Sequence, residues 1–188
     1  MGLTTADKYY LKAKSASQGF GCDWEEVCDA LHYALSYDEH HPAALCLLGS
    51  IYAEQFSDYE NAFTCFDTII SNTPEYLEVY YQYSRTLVWA NEIERSQRLI
   101  AFALKQKTID KAQLYTTLSQ GLEMNKSYAL ALQFLKQAQT HCYNEYYQSF
   151  IEDEIQRVKK KKEKQDKKIQ SKTKAQTKKA KKKSSKKK

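Results

Sequence analysis

Turn formers are scarce in this chain, with five Gly and two Pro in 188 residues. A many-stranded sheet fold needs more breaks between its strands than that, so helices are the reading left open. No run approaches the roughly 18 apolar residues of a membrane span. The N-terminus, Met1-Gly2-Leu3-Thr4-Thr5-Ala6-Asp7, has no basic segment followed by an apolar one, which an export signal would require. A soluble, cytoplasmic protein without membrane insertion is expected. The five cysteines (Cys22, Cys28, Cys46, Cys65, Cys142) are odd in number and show no CxxC spacing. That argues against a disulfide framework and against a zinc site.

What the chain does have is charge of two signs in separate places. Residues 159–188 hold 17 Lys against Glu163 and Asp166, a balance of +15. The whole chain is +6, so residues 1–158 carry −9. An acidic folded body and a basic tail are therefore expected, and the basic average does not describe the body.

The body repeats itself. Leu45, Tyr80 and Tyr115 stand 35 apart, and so do Leu48, Tyr83 and Leu118, then Gly49, Ser84 and Ser119, then Tyr52, Leu87 and Leu122. A second set of columns reads Trp24, Tyr59, Ile93, Tyr128; Val27, Ala62, Ser96, Ala131; Leu31, Phe66, Ile100, Leu135; and Ala34, Ile69, Ala103, Ala138. Small residues belong where two helices cross closely, and large apolar ones fill the space between successive hairpins. A period near 35 marks stacked helical pairs, each too small to bury its apolar stripe alone.

The stretch Leu45-x2-Leu48-Gly49-x2-Tyr52, then Ala62-x3-Phe66, then Pro74 resembles the tetratricopeptide repeat pattern. Leu45 stands where that pattern begins with Trp, and one residue is inserted before Tyr59. The resemblance implies an all-α fold, an α-solenoid of about four hairpins, the first one degraded. Expected helices are 5–18 and 24–37, 42–55 and 59–72, 76–90 and 93–106, and 111–123 and 126–141. Gly19-Phe20-Gly21, Ser57-Asp58, Asn91 and Asn125 punctuate the turns within pairs, where polar side chains cap. A final helix from about 145 sets Tyr146, Tyr147, Phe150, Ile151, Ile155 and Val158 at helical spacing, as a cap over the open end of a stack requires. The repeat domain with its cap is thus 5–157. Residues 158–188 form a Lys-rich extension, expected to be disordered from about 170 for lack of any apolar residue larger than Ala.

Chemistry-bearing motifs are few. Cys28 and His32 share a helical face but have no third ligand nearby, and His40-His41 and His141-Cys142 lack partners at ligand spacing. No phosphate loop, nucleophile elbow or HExxH helix is present. No catalysis, metal or cofactor is expected.

The resemblance instead directs attention to the concave surface that first helices line in such stacks. The positions there that avoid the core are Ser50, Glu54, Glu78, Tyr81, Gln82, Arg85, Trp89, Thr116 and Gln120, with Cys46, Gln113 and Glu123 beside them. Tyr81, Arg85 and Trp89 share one face, and such residues anchor binding hot spots. A protein or peptide partner is expected in this groove. Members of the family that grip a terminal carboxylate use several basic groove residues, whereas only Arg85 is basic here, so that specificity is not expected. The alternative is a nucleic-acid- or ribosome-associated factor. Its tail, with Lys159, Lys160, Lys161, Lys162, Lys181, Lys182 and Lys183, would bind polyanions without reading sequence.

Overall fold

The computed structural model describes residues 2–19 and 21–184, with side chains described as far as residue 171. Every regular element among these is an α-helix: α1 (Thr5–Ser17), α2 (Trp24–Tyr37), α3 (Pro42–Glu54), α4 (Tyr59–Asn72), α5 (Glu78–Trp89), α6 (Ile93–Ala103), α7 (Lys111–Met124), α8 (Tyr128–Thr140) and α9 (Glu145–Ser184). The chain divides into two compact units, Met1–Asp110 and Lys111–Lys188.

Local chemistry places the helix starts. Thr4 and Asp7 form a capping box on α1, Asp23 accepts the Glu25 and Glu26 amides of α2, and Asp58 accepts the Asn61 amide of α4. Pro42 opens α3, and the Nδ1 of His41 accepts the Ala44 amide. Each satisfies donors that the first helical turn leaves over. The turns inside pairs follow one plan. Ser57, Asn91 and Lys126 adopt left-handed backbone, with φ of 54°, 61° and 60°. The next amide then returns to a repeat-column carbonyl: Asp58 to Tyr52 at 2.8 Å, Glu92 to Leu87 at 2.8 Å and Ser127 to Leu122 at 2.9 Å. The first of these spans one residue more than the other two, which locates the insertion before Tyr59. Asn91 and Asn125 supply no helix cap. Asn91 serves through its backbone, and Lys126 takes the left-handed place in the last turn.

In Met1–Asp110 the pairs α1–α2, α3–α4 and α5–α6 pack as antiparallel hairpins. The first helices α1, α3 and α5 lie in succession, with α2 against α3 and α4 against α5. Val27, Leu31, Ala34, Ala62, Phe66, Ile69, Ser96, Ile100 and Ala103 are buried, as their columns require. The close crossings are visible in detail. Ser96 Oγ donates to the Ser84 carbonyl at 3.1 Å. A Cβ on Gly49 would lie 2.9 Å from Phe66 Cε1 and 3.1 Å from Cys65 Cβ. The tyrosine columns are less uniform than their spacing suggests: Tyr80 and Tyr83 are fully buried, whereas Tyr52 and Tyr59 are half-buried.

In Lys111–Lys188, α7 and α8 form the fourth hairpin and α9 packs on α8. Ser119 Oγ donates to the Ala131 carbonyl at 3.0 Å, repeating the crossing motif. Ile151, Ile155 and Val158 are buried and form the inward stripe of α9. Tyr146 and Phe150, expected in that stripe, are exposed instead, because a four-residue helical step from Ile155 and Ile151 leaves them off the inward line. The expected disorder from about 170 is not what the backbone shows. The helix of α9 continues through Ser184, while residues 185–188 lie outside the described ones. Lys, Gln and Ala are strong helix formers, and neither Gly nor Pro interrupts the segment.

Candidate protein-binding cleft

Helical steps of three and four residues bring Cys46, Ser50 and Glu54 onto one face of α3, and Glu78, Gln82 and Arg85 onto the facing side of α5. With α1, these two helices border a cleft of about 540 Å³ within the first unit, whose lining takes in Cys46, Ser50, Glu54, Glu78 and Gln82 but not Tyr81, Arg85 or Trp89. Its walls include Tyr10, Lys14, Trp24, Ser50, Glu54, Tyr76, Glu78 and Gln82. Burial pushes the Tyr76 hydroxyl and the Cys46 thiol far above their ordinary pKa values, with smaller contributions from neighbouring groups, so both are neutral and unreactive near pH 7.

One polar chain runs along the α3 and α5 sides. Gln82 Nε2 donates to Glu78 Oε1 at 2.9 Å, Arg85 Nη2 donates to Gln82 Oε1 at 2.9 Å, and the same Nη2 pairs with Glu54. The Arg85 guanidinium also lies 5.5 Å from the Tyr81 ring centre and 4.6 Å from that of Trp89. This arrangement orders the aromatic pair and neutralises Arg85. The Arg85 charge is thus already paired with Glu54, while its buried Nε has no hydrogen-bond partner among the described residues. Trp89 is 41% exposed and outside the core, and Tyr81 is half-buried.

The second unit treats its groove positions differently. Thr116 is buried, and its hydroxyl donates to the Ala112 carbonyl of its own helix at 2.8 Å. Its hydroxyl is committed within its own helix, and the side chain offers little surface to a partner. Cys46, 70 residues earlier in the same column, is equally buried. Gln120 is half-buried. Glu123 is held by α9, through Arg157 and through Lys161 Nζ at 2.5 Å. Of the expected polyanion-binding lysines, Lys159 and Lys160 are exposed, Lys161 is committed to Glu123, and Lys162 is half-buried. The side chains of Lys181, Lys182 and Lys183 lie outside the described ones.

Sequence reasoning missed the contribution of α1. Tyr10, Lys14 and Ser17 follow each other at steps of four and three, a spacing that marks one helical face. The signal is present, since Tyr10 stands 35 residues before Leu45 and Ala13 the same distance before Leu48, but Lys14 replaces the small residue of the Gly49 column and obscures the first repeat. Tyr76 precedes α5 and carries no periodic signal at all. Among the described residues no group of three His, Cys, Asp or Glu is placed to hold a metal ion, and no helix is long and apolar enough to cross a membrane.

No protein-family model matches the sequence, and no curated protein matches it. Solved structures do. The one described as MamA RS-1 ArsTM double mutant superposes with a TM-score of 0.61 at 15% identity, over 83% of this chain and 89% of that one. The fold is tetratricopeptide-like. At that identity the likeness concerns the fold alone, so the tetratricopeptide-like hairpins are shared and the side chains of the cleft are this chain's own.

Proposed function

We propose that this protein is a non-catalytic scaffold that holds a segment of a partner protein in the cleft bordered by α1, α3 and α5. The observation that carries the reading is the composition of that cleft. Aromatic flanks at Tyr10, Trp24 and Tyr76 accompany amides and hydroxyls at Ser50, Gln55 and Gln82. Aromatic side chains offer apolar area at low rotamer cost, while amides can pair with the backbone of an extended segment. The tetratricopeptide-like fold supports it, since stacked hairpins expose extended concave binding surfaces. The recurring columns support placing the chain in the tetratricopeptide repeat family, and five unpaired thiols fit a cytoplasmic location.

A photo-cross-linking amino acid placed at Gln82 or Ser50 tests the reading in the native cell. The expected result is a discrete protein adduct from either position, absent from a control at exposed Glu60, with the Gln82 adduct lost when Ser50→Trp fills the cleft. Equal labelling from all three positions would end it.

A second reading rests on exposed Lys159 and Lys160 at the start of a lysine-rich helix: sequence-independent association with a polyanion such as nucleic acid. Its test is the salt dependence set out in the Discussion.

A further inference from the structure

The acidity of the body is concentrated in one span. From Ser15 to Ser84 there is no Lys or Arg, while twelve Asp and Glu fall within the same 70 residues. Helices α2, α3 and α4 come wholly from this span. The cations that pair with it are borrowed from outside: Lys12 approaches Glu26 at 3.8 Å, Arg85 takes Glu54, and Arg95 takes Asp67 at 3.1 Å. Glu25, Asp29 and Glu60 are exposed, with no basic partner among the described residues.

On α2 this charge continues into an aromatic surface. Glu25, Asp29, Tyr33 and Tyr37 follow one another at four-residue steps, and the two tyrosines are 60% and 63% exposed. Tyr9 of α1 stacks with both, ring centres 5.6 Å from Tyr33 and 5.9 Å from Tyr37, interplanar angles 23° and 10°. Two carboxylates running into three stacked rings offer a lysine ammonium a counter-charge and a π-face together. An apolar partner would strip water from Glu25 and Asp29 without repaying it, and a polyanion would be repelled.

We propose that this stripe docks the lysine-rich helix of a second copy of the chain. Charge complementarity selects the occupant, since residues 159–188 carry +15. The helix also has the reach. Ile151, Ile155, Val158 and the Arg157 and Lys161 contacts to Glu123 anchor its first turns. From there it runs unbroken to Ser184, with neither Gly nor Pro in 145–188 to bend it. At about 1.5 Å per residue, the 40 residues of α9 extend roughly 60 Å. Lys161 on Glu123 shows a lysine of this helix pairing with a carboxylate within the chain. The proposed contact joins two different surfaces, so association grows open-ended unless a ring closes. It is independent of the cleft, whose lining includes none of Glu25, Asp29, Tyr33 or Tyr37.

The test uses the full-length chain. Unlabelled and ¹⁵N-labelled copies are mixed and joined by a carbodiimide, which couples amines to carboxylates without a spacer; sedimentation velocity follows assembly across salt. Links between copies, from lysines of 159–188 to Glu25 and Asp29, are expected. So is a mass above that of one chain at low salt, falling to one chain near about 0.5 M, where screening is nearly complete. The variant Glu25→Gln/Asp29→Asn/Tyr33→Ala/Tyr37→Ala should associate at least about tenfold more weakly, with its helical circular dichroism unchanged. If that variant loses helicity, the single reversal Asp29→Lys replaces it with the same expectation. A single-chain mass at every salt concentration, links confined to one copy, or a substituted chain that assembles like the parent would overturn the proposal.

Discussion

The Arg157 guanidinium closes on the Glu123 carboxylate with two parallel hydrogen bonds, Nη1 to Oε1 at 2.5 Å and Nη2 to Oε2 at 2.6 Å. It also takes Glu154 through Nε at 2.7 Å. Burial alone would raise the Glu123 carboxyl, but the bonds from Arg157 and Lys161 outweigh it and hold the group below its ordinary value. Arg157→Met should destabilise the protein by about 1–3 kcal/mol, because it leaves a largely buried carboxylate short of partners. Arg157→Lys should recover only part, since an ammonium cannot make the fork. Thermal melts check both, and adding Glu123→Gln to Arg157→Met should restore stability.

Gly49 lies at a close helix crossing in the first unit. Its missing Cβ would stand 2.9 Å from a ring carbon of Phe66, which is itself fully buried and unable to swing away. Gly49→Leu should cost roughly 1–3 kcal/mol or more by overpacking, despite the better helix propensity of Leu. Urea unfolding measures it, and a midpoint equal to the parent's would contradict the close crossing.

Asp7 ties α1 to the start of α3 through His41 Nε2 at 3.1 Å. That hydrogen bond, followed by those from Thr4, pulls its carboxyl from 3.8 down to about 2. A depressed carboxyl adds stability that is complete above its unfolded value and is lost as pH falls through its folded one. The stability gap between the parent and Asp7→Asn should therefore be constant above about pH 5 and close between pH 4 and 2. Melting curves at half-unit pH steps show whether it does.

The aromatic residues of α5 divide into two kinds. Tyr83 is buried, packs at a tilt against Phe66 and donates to Asp67 at 2.7 Å, whereas Trp89 is partly exposed over Arg85. Tyr83→Ala should cost about 3–5 kcal/mol, and Trp89→Ala about 1 kcal/mol or less. Neither Tyr81 nor Trp89 lines the cleft, so Tyr81→Ala and Trp89→Ala should leave partner capture intact while the fold persists, a combination read by pairing the cross-linking assay with melts.

For the polyanion reading, anisotropy titrations against unrelated duplexes should give equal affinities. If about five to eight lysines reach phosphates, log K should fall with log salt at a slope of roughly −4 to −7. A slope near zero, or a marked preference for one duplex, would exclude counterion release from the lysine helix as the source of binding.

The sequence by itself determined the helices and their order. A 35-residue period, small residues at crossings and Asp or Thr caps are local signals, and the helix ends they give lie within a few residues of those in the structure. Helical periodicity also states which side of each helix faces inward, so Val27, Leu31, Phe66 and Ile100 were legible as core. What meets what across the fold was not. Positions 46, 81 and 116 share one column, yet Cys46 and Thr116 are buried while Tyr81 is half-exposed, because burial depends on which neighbours close over a position. Arg85 finds Glu54 across 31 residues, and Arg157 finds Glu123 across 34. These pairings use long, flexible side chains whose spacing follows no helical period, so only the packed hairpins decide them. They settle which charges remain free to bind a partner, and that is why the groove's chemistry emerged only with the tertiary structure.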